Sequence, residues 1–173
     1  MKNGLHIVAD GSKESYLNDK RHHTDGPAVE WVDGTKAWYL NGKCHRTDGP
    51  AVEQADGTRF WYLNDKRHRT DGPAIERADG TKVWYLNGEL HHTDGPAVEQ
   101  ADGTRFWYLN GKCHRTDGPA VEQADGTKKW YLNGQYLGWG DAGFWALWKR
   151  LSPDQRSNLN LHMHLPGLQS SCK

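Results

Sequence analysis

Histidine and aspartate recur as a pair along this chain, three residues apart. The pairs are His22 and Asp25, His45 and Asp48, His68 and Asp71, His91 and Asp94, and His114 and Asp117. One such pair could hold zinc or exchange protons with a substrate. An active site needs only one pair, so the repetition favours a structural role, with aspartate binding turn N–H groups and histidine packing on tryptophan. Nucleophile-elbow, phosphate-loop and Cys-x-x-Cys motifs are absent from the sequence, so we expect no catalysis, no metal and no cofactor.

Aromatic residues form two further rows with the same spacing. Stacked aromatic rings with interspersed arginine can hold bases or nucleotides. The chain is only 35% hydrophobic, however, so its tryptophans are also needed simply to stabilise the fold. The candidate binding residues are Trp38, Trp61, Trp84, Trp107, Trp130, Tyr39, Tyr62, Tyr85, Tyr108, His45, His68, His91, His114, Arg59 and Arg105.

A 23-residue repeat positions all of these side chains. Tyr-Leu-Asn begins at Tyr16, Tyr39, Tyr62, Tyr85, Tyr108 and Tyr131, and residues 39–58 are identical to residues 108–127. Each unit contains an Asn-Gly or Asn-Asp dipeptide and an Asp-Gly dipeptide between β-prone runs, which is typical of two-residue type I′ hairpin turns. The pattern predicts a mainly β protein, a single-layer antiparallel β-hairpin repeat solenoid with a small C-terminal helical cap.

Two-residue turns also predict a register. Glu53 would face Phe60 and Val52 would face Trp61 across the Asp-Gly turn, whereas Tyr39 would face Cys44 across the Asn-Gly turn. Side chains then alternate, with the tryptophans on a structural face and the positions that differ between units on the opposite, exposed face. Those varied positions are Ala37, Phe60, Val83, Phe106 and Lys129, together with Arg21, Cys44, Arg67, Leu90 and Cys113.

The chain divides into three segments. Residues 1–15 are a shortened unit that predicts an N-terminal cap, residues 16–134 hold five units and the start of a sixth, and residues 135–173 form a C-terminal helical cap and tail. In the last segment, Asp141 predicts the N-cap of a helix over 142–151, and Ser152-Pro153 begins a second helix to about residue 165. Phe144, Trp145 and Trp148 either cover the last strand or form an arm for dimerisation or target contact.

Composition limits the classes of partner. Lys+Arg and Asp+Glu are both 22, so the chain has no net positive charge. This balance argues against broad electrostatic binding to nucleic acid or to an anionic membrane. Neither a membrane-spanning apolar stretch nor an N-terminal apolar signal region is visible, so we expect a cytoplasmic protein. Its three cysteines are then free thiols.

The repeat resembles a known family. The 23-residue period, the Asn-Gly-Lys-x-His core, the recurring Asp-Gly and the Trp-Tyr positions are similar to MORN repeats (membrane occupation and recognition nexus), over residues 16–134 and weakly over 1–15. After the histidine the chain reads Arg46-Thr47-Asp48-Gly49-Pro50-Ala51, where a MORN unit typically has Gly-x-Gly. This His-x-x-Asp-Gly-Pro-Ala version resembles repeats of tailed-phage and giant-virus genomes.

That resemblance implies a viral accessory protein in the host cytoplasm. Its expected partner is a host protein, in particular a defence protein that it inhibits. The alternatives are a protein that sequesters a nucleotide or small ligand, and a virion structural or assembly protein. A homodimer through the C-terminal helices is a further alternative for its assembly.

Overall fold

The computed structural model describes residues 1–157, which form short strands followed by two helices. In chain order the strands are β1 (Gly4–Ile7), β2 (Lys13–Leu17), β3 (Lys20–Arg21), β4 (Val29–Glu30), β5 (Lys36–Ala37), β6 (Tyr39–Leu40), β7 (Lys43–Cys44), β8 (Val52–Glu53), β9 (Arg59–Phe60), β10 (Tyr62–Leu63), β11 (Lys66–Arg67), β12 (Ile75–Glu76), β13 (Lys82–Val83), β14 (Tyr85–Leu86), β15 (Glu89–Leu90), β16 (Val98–Glu99), β17 (Arg105–Phe106), β18 (Tyr108–Leu109), β19 (Lys112–Cys113), β20 (Val121–Glu122), β21 (Lys128–Leu132) and β22 (Gln135–Trp139). The helices are α1 (Gly140–Trp148) and α2 (Pro153–Ser157).

One open antiparallel sheet runs the length of the repeats. Over residues 1–157 it contains fourteen strands in the order β1-β2-β4-β5-β8-β9-β12-β13-β16-β17-β20-β21-β22, with β3 pairing β2. The strand pairs β6-β7, β10-β11, β14-β15 and β18-β19 stand apart from this main sheet as separate hairpins. The predicted fold class, an antiparallel β-hairpin repeat with a small helical end, is confirmed.

The Asn-Gly hairpins have the predicted turns. Asn41 and Gly42 have φ angles of 53° and 85°, and the pairing places Tyr39 opposite Cys44. Positive φ at both central residues defines a type I′ turn. Asn64-Asp65 adopts the same conformation, with φ angles of 52° and 65°, so aspartate is accommodated in place of glycine.

The prediction for the Asp-Gly turns was wrong. Gly57 has a φ of 88° while Asp56 keeps a negative φ, and Gln54 bonds to Thr58 around a three-residue loop. The Asp56 carboxylate accepts the Thr58 N–H at 2.8 Å, which stabilises a type I turn followed by a left-handed glycine. Glu53 therefore faces Arg59 and Val52 faces Phe60, one residue away from the predicted register.

This one-residue difference moves the varied positions to the interior, because a slip of one residue exchanges the two faces of a strand. Ala37 is 1% exposed, and Val83 and Cys44 are each 8% exposed. The other varied positions are half-buried, so the expectation that these positions are exposed was wrong. Cys44 Sγ lies 3.9 Å from the Ala51 carbonyl oxygen, which shows how closely this row packs against the backbone.

A row of alanines forms the tightest part of the interior. The alanine after each Gly-Pro is at most 1% exposed: Ala28, Ala51, Ala74, Ala97 and Ala120. Each also continues the main-sheet bonding, since Ala51 N–H donates to the Phe60 carbonyl and Trp61 N–H donates to the Ala74 carbonyl. A thin sheet with such small core residues explains why the chain needs few large aliphatic side chains.

Neighbouring units are also joined outside the main sheet. The Asn-Gly hairpins bond to each other in sequence, as Asp65 N–H donates to the Cys44 carbonyl at 2.9 Å. At the other side of the sheet, Ala78 N–H donates to Thr58 Oγ1 at 3.1 Å. Both contacts recur along the repeats, so each unit is fixed on two flanks by the next.

The N-terminal segment closes the first end of the stack. β1 pairs with β2. The residues before β1 make hydrogen bonds like those that a preceding unit makes elsewhere in the repeats. Asn3 Oδ1 accepts the Asn18 N–H at 2.7 Å, and the Lys2 carbonyl accepts the Asp19 N–H at 3.0 Å. Lys2 and Asn3 thus bond to the first Asn-Asp turn from the side on which later units have a preceding unit.

The C-terminal helix covers the other end. Trp130, Phe144, Leu147 and Leu151 form a buried cluster, in which the closest ring pair is Trp130 and Phe144 at 5.7 Å. α1 begins at Gly140 rather than at 142, and its N-cap is Trp139 without a side-chain hydrogen bond, so the predicted Asp141 N-cap was wrong.

α2 has the predicted capping box. Ser152 Oγ accepts the Gln155 N–H, and Gln155 Oε1 accepts the Ser152 N–H. The predicted extension of this helix to about residue 165 lies outside the described residues, as does Cys172.

Candidate functional site

Each half-buried tryptophan of the repeat is covered by the side chain eight residues later. The Arg46, Arg69 and Arg115 guanidinium carbons lie 4.1, 4.0 and 3.9 Å from the ring centres of Trp38, Trp61 and Trp107. His92 lies over Trp84 instead, with the ring centres 4.8 Å apart and the planes 7° from parallel. Flat side chains on an indole face give cation–π or stacking contacts, each contributing about 0.5–1 kcal/mol near the surface.

Three acceptors fix each arginine. Arg46 Nε donates to Asp48 Oδ1 at 2.9 Å, and Arg46 Nη1 donates to the Pro50 carbonyl at 3.2 Å and to Glu53 Oε1 at 3.3 Å. The hydrogen bond from Arg46 holds the pKa of the Asp48 carboxyl below its usual value. Gly49 makes room for the guanidinium, since a Cβ there would lie 3.0 Å from Arg46 Cζ. The donors of the arginine are therefore directed to its own loop.

The aspartate and histidine roles differ from the prediction. Asp48 pairs with arginine rather than with turn N–H groups, and Asp71 and Asp117 pair likewise with Arg69 and Arg115. The turn N–H groups are bound by the other aspartates, those of the Asp-Gly loops. Sequence reasoning missed the residue that directly follows each repeated histidine. The sequence does mark this position, because it is always Arg or His: His23, Arg46, Arg69, His92 and Arg115.

The repeated histidines connect one unit to the next. His45 Nδ1 accepts the Asn64 N–H at 3.3 Å and lies 3.0 Å from Asn64 Oδ1. The same bond to the following asparagine N–H is made by His22, His68, His91 and His114. Within residues 1–157, no group of three or more His, Cys, Asp or Glu side chains is arranged to hold a metal ion. The histidines thus act between units, and not as partners of the aspartates three residues later.

Four similar clefts lie between successive Thr-Asp-Gly loops. Each is lined by one tryptophan, the leucine two residues later, the repeated histidine, and two loops that are 23 residues apart. We name them by their tryptophan: the Trp38, Trp61, Trp84 and Trp107 clefts, with volumes of about 510, 390, 390 and 590 Å³. Each unit adds two strands to the main sheet, so adjacent clefts are about 10 Å apart.

The clefts differ in charge. Asp48, Asp71 and Asp117 are neutralised by the arginine two residues before them. His23 and His92 replace that arginine in the other two loops, so the carboxylates of Asp25 and Asp94 have no such cation. The Trp107 cleft, for example, combines His92 and Asp94 from one loop with Arg115 and Asp117 from the next. The repeat thus presents clefts with equivalent tryptophan, leucine and histidine linings and a varying pattern of charge.

The predicted binding residues do not all meet in these clefts. The tryptophans and histidines of the four clefts do, whereas Trp130 is 1% exposed beneath α1. The tyrosines are half-buried beside the varied positions, where Arg67 Nε donates to Tyr62 Oη at 3.3 Å. Arg59 and Arg105 are exposed on the main sheet opposite Glu53 and Glu99.

The three aromatic residues predicted to contact a partner from the C-terminal helix differ in exposure. Phe144 is only 7% exposed and packs on Trp130, so this side chain is part of the core and is not available to a partner. Trp148 is half-buried, and Arg156 lies over its ring at 5.4 Å. Trp145 is 44% exposed, and Trp139, which sequence reasoning did not select, is 71% exposed.

In the described part of the chain, no helix has the length and apolar character needed to cross a membrane. The chain matches no protein-family model, and it has no significant match among curated proteins.

Proposed function

We propose that this protein is a non-catalytic binding protein whose row of four clefts docks a partner protein. The observation that carries the proposal is the repetition of one open cleft with a tryptophan in its lining, at about 10 Å intervals along a continuous sheet. The first and last clefts are then about 30 Å apart, which is comparable to the span of an ordinary protein interface. The repeated aromatic lining would supply affinity and the varying charge would supply specificity.

The chemistry of the clefts supports binding rather than turnover. The arginines direct their donors to the Asp and Glu carboxylates and the Pro carbonyl of their own units, and the histidines accept N–H groups of the next unit. These groups stabilise the walls of the cleft and are not poised on its open side. A partner would therefore meet exposed aspartate and threonine side chains of the loops first, and half-buried leucine and tryptophan side chains within the cleft.

The resemblance of the repeats to viral sequences supports a finer proposal. The partner is a bacterial host protein, and binding inhibits it, with host defence proteins as the first class to test. The protein would then act in the host cytoplasm.

Capture from bacterial lysate tests the proposal. The wild-type chain should enrich a specific protein, and a double variant with Thr70→Arg and Thr93→Arg should lose it, because both exposed threonines border the Trp84 cleft. The matched control carries Ala78→Arg and Ala101→Arg, which add the same charge at exposed positions of the Asp-Gly loops. Equal capture by both double variants would show that the clefts are not the docking surface.

The nucleotide-binding alternative has weaker support, because one face of each cleft tryptophan is covered and the guanidinium groups are engaged. A thermal-shift series against nucleotides distinguishes the two functions. A partner-protein surface predicts an unchanged melting temperature, whereas a concentration-dependent rise with one nucleotide that the Thr70→Arg and Thr93→Arg double variant loses would favour the alternative.

A further inference from the structure

The first tryptophan of the series is missing, and its place is empty. Ser15 stands where the repeats have tryptophan, and its backbone is bonded in the same way. Ser15 N–H donates to the Ala28 carbonyl at 2.7 Å, as Trp38 N–H donates to the Ala51 carbonyl at 2.8 Å. The Ser15 carbonyl accepts the His22 N–H just as the Trp38 carbonyl accepts the His45 N–H. The two positions thus share these two backbone bonds but differ in side chain and in strand, since Ser15 lies within β2 opposite Leu5 whereas Trp38 lies between β5 and β6.

A cavity of about 260 Å³ lies at this point, lined by Leu5, Lys13, Ser15, His23, Pro27, Ala28 and Glu30. An enclosed apolar cavity of about 150 Å³ is enough to hold a benzene molecule, and this more open pocket with mixed polar and apolar walls is larger, so its volume can accommodate a bicyclic ring. Leu5 is opposite Ser15 in the register of β1 and β2, and it remains 63% exposed. Its side chain therefore adds an apolar wall without filling the space.

His23 is already in the position for stacking. A Cβ on Gly26 would lie 3.3 Å from His23 Nδ1, and a Cβ on Gly95 would lie 3.3 Å from His92 Nδ1. The two imidazoles thus lie at similar distances from the glycines of their loops. His92 has its other face covered by Trp84 at 4.8 Å, whereas the residue in that place below His23 is a serine.

We propose that the cavity at Ser15 binds an indole-sized planar aromatic ring supplied from outside the chain, stacked against His23. The ring would take the place that Trp84 takes against His92. Leu5, Pro27 and Ala28 supply apolar contact, and the Lys13–Glu30 ion pair, at 3.3 Å, supplies a polar rim. This site is distinct from the four clefts, and it does not depend on their partner.

Titration with free indole, followed by calorimetry and ligand-observed NMR, tests the site. The wild-type chain should bind one indole saturably, in the millimolar range or tighter. Ser15→Trp would fill the cavity with an attached indole, so binding should weaken by at least about tenfold and the melting temperature should rise. Ser15→Ala keeps the cavity open and should keep the binding. No saturable binding to the wild type, or equal binding to Ser15→Trp, would overturn the proposal.

A second variant tests the same idea at another unit. Trp84→Ser should open an equivalent space below His92, so indole should bind with two sites per chain and should raise the melting temperature of this variant more than that of the wild type. If Trp84→Ser is folded and gains no indole site, the stacking position is not a general ring site and the proposal fails.

The source of the ring is distinguished by sedimentation. A tryptophan side chain from a second copy, for which Trp139 at 71% exposure is the candidate, predicts self-association that free indole and Trp139→Ala both abolish. A monomer that binds indole identifies a free aromatic compound as the ligand. A dimer that neither indole nor Ser15→Trp affects would exclude the second-copy source.

Discussion

At the scale of single residues, the smallest side chains of this protein tolerate the least change. Ala74 is fully buried at the junction of the Gly-Pro segment with β12, and its neighbours in the alanine row are equally enclosed. A thin sheet has few ways to rearrange around an added group, because both flanks are bonded to neighbouring units.

We expect Ala74→Leu to lower the free energy of unfolding by about 1–3 kcal/mol, since the added carbons have no free volume to enter. Ala78→Leu is the matched control, because Ala78 is exposed on the adjacent Asp-Gly loop and the same change there should stay within about 0.5 kcal/mol. Urea unfolding of the two variants makes the comparison. Similar losses at both positions would contradict the observed register.

Two cysteines make the stability of the folded protein depend on pH. Burial raises the pKa of the Cys44 thiol to about 12 and that of the Cys113 thiol to about 11. The neutral thiol is thus favoured in the folded state, and its contribution is fully present below the unfolded-state pKa of about 9. As the pH rises above that value, the unfolded chain releases the proton first and the folded state loses stability.

The free energy of unfolding should therefore fall between about pH 9 and pH 11, and Cys44→Ala should fall less steeply over that range. The variant is expected to be less stable at every pH because it leaves a small void, so the comparison is between slopes. Denaturant titrations at several pH values measure them. Parallel slopes for the two proteins would show that Cys44 is not buried as a neutral thiol.

At the scale of elements, the two turn dipeptides behaved differently although their sequences look equivalent. The Asn-Gly turns were predictable, because positive φ at two successive residues suits that pair. The Asp-Gly turns were not, because the Asp56 carboxylate bonds to the Thr58 N–H and selects a three-residue loop. That choice depends on a side-chain hydrogen bond that a dipeptide rule does not include.

The candidate site was predictable only in part for a related reason. Tryptophan and histidine were selected because they recur, and both line the clefts. The covering Arg or His was overlooked because it varies, although its two alternatives are both flat side chains that can stack on an indole. The clefts themselves depend on the backbone leaving the main sheet at each tryptophan, and no local residue pattern encodes that bend.

The contact of α1 with the last strands supplies a prediction for an element. A Cβ on Gly143 would lie 2.2 Å from Trp130 Cδ1 and 2.7 Å from the Gly138 carbonyl oxygen. Gly143→Ala should therefore destabilise the protein by about 1–3 kcal/mol, although alanine would stabilise an isolated helix by up to about 1 kcal/mol. The indole resonance of Trp130 should shift as the helix moves away.

Ala142→Gly is the control on the same helix. Ala142 is exposed, so only helix propensity changes, and a loss of at most about 1 kcal/mol with an unchanged Trp130 resonance is expected. If Gly143→Ala were stabilising, the close approach of α1 to Trp130 would be refuted.

At the scale of the whole molecule, the 23-residue period sets the length of chain that can be removed without changing the register of the remaining strands. Deleting residues 62–84 joins Trp61 to Tyr85 and should leave a folded protein with three of the four clefts and lower stability, because stability in such arrays is nearly a sum over neighbouring units. Deleting the 22 residues 62–83 is the matched control, since it shifts every later strand by one residue relative to the earlier ones. Circular dichroism and heteronuclear NMR should show ordered sheet only for the first deletion; equal order in both would mean that the units do not share a register.

Main-sheet strands of only two residues have a mechanical consequence. Strands of two residues, from β3 to β20, would not stay ordered without the strands beside them. The same few hydrogen bonds connect each unit to the next. Under tension applied at the two ends, the repeat units would unfold one at a time, each at a similar force. Each event would release one unit of 23 residues, or about 80 Å of extended chain, so the molecule would lengthen in even steps.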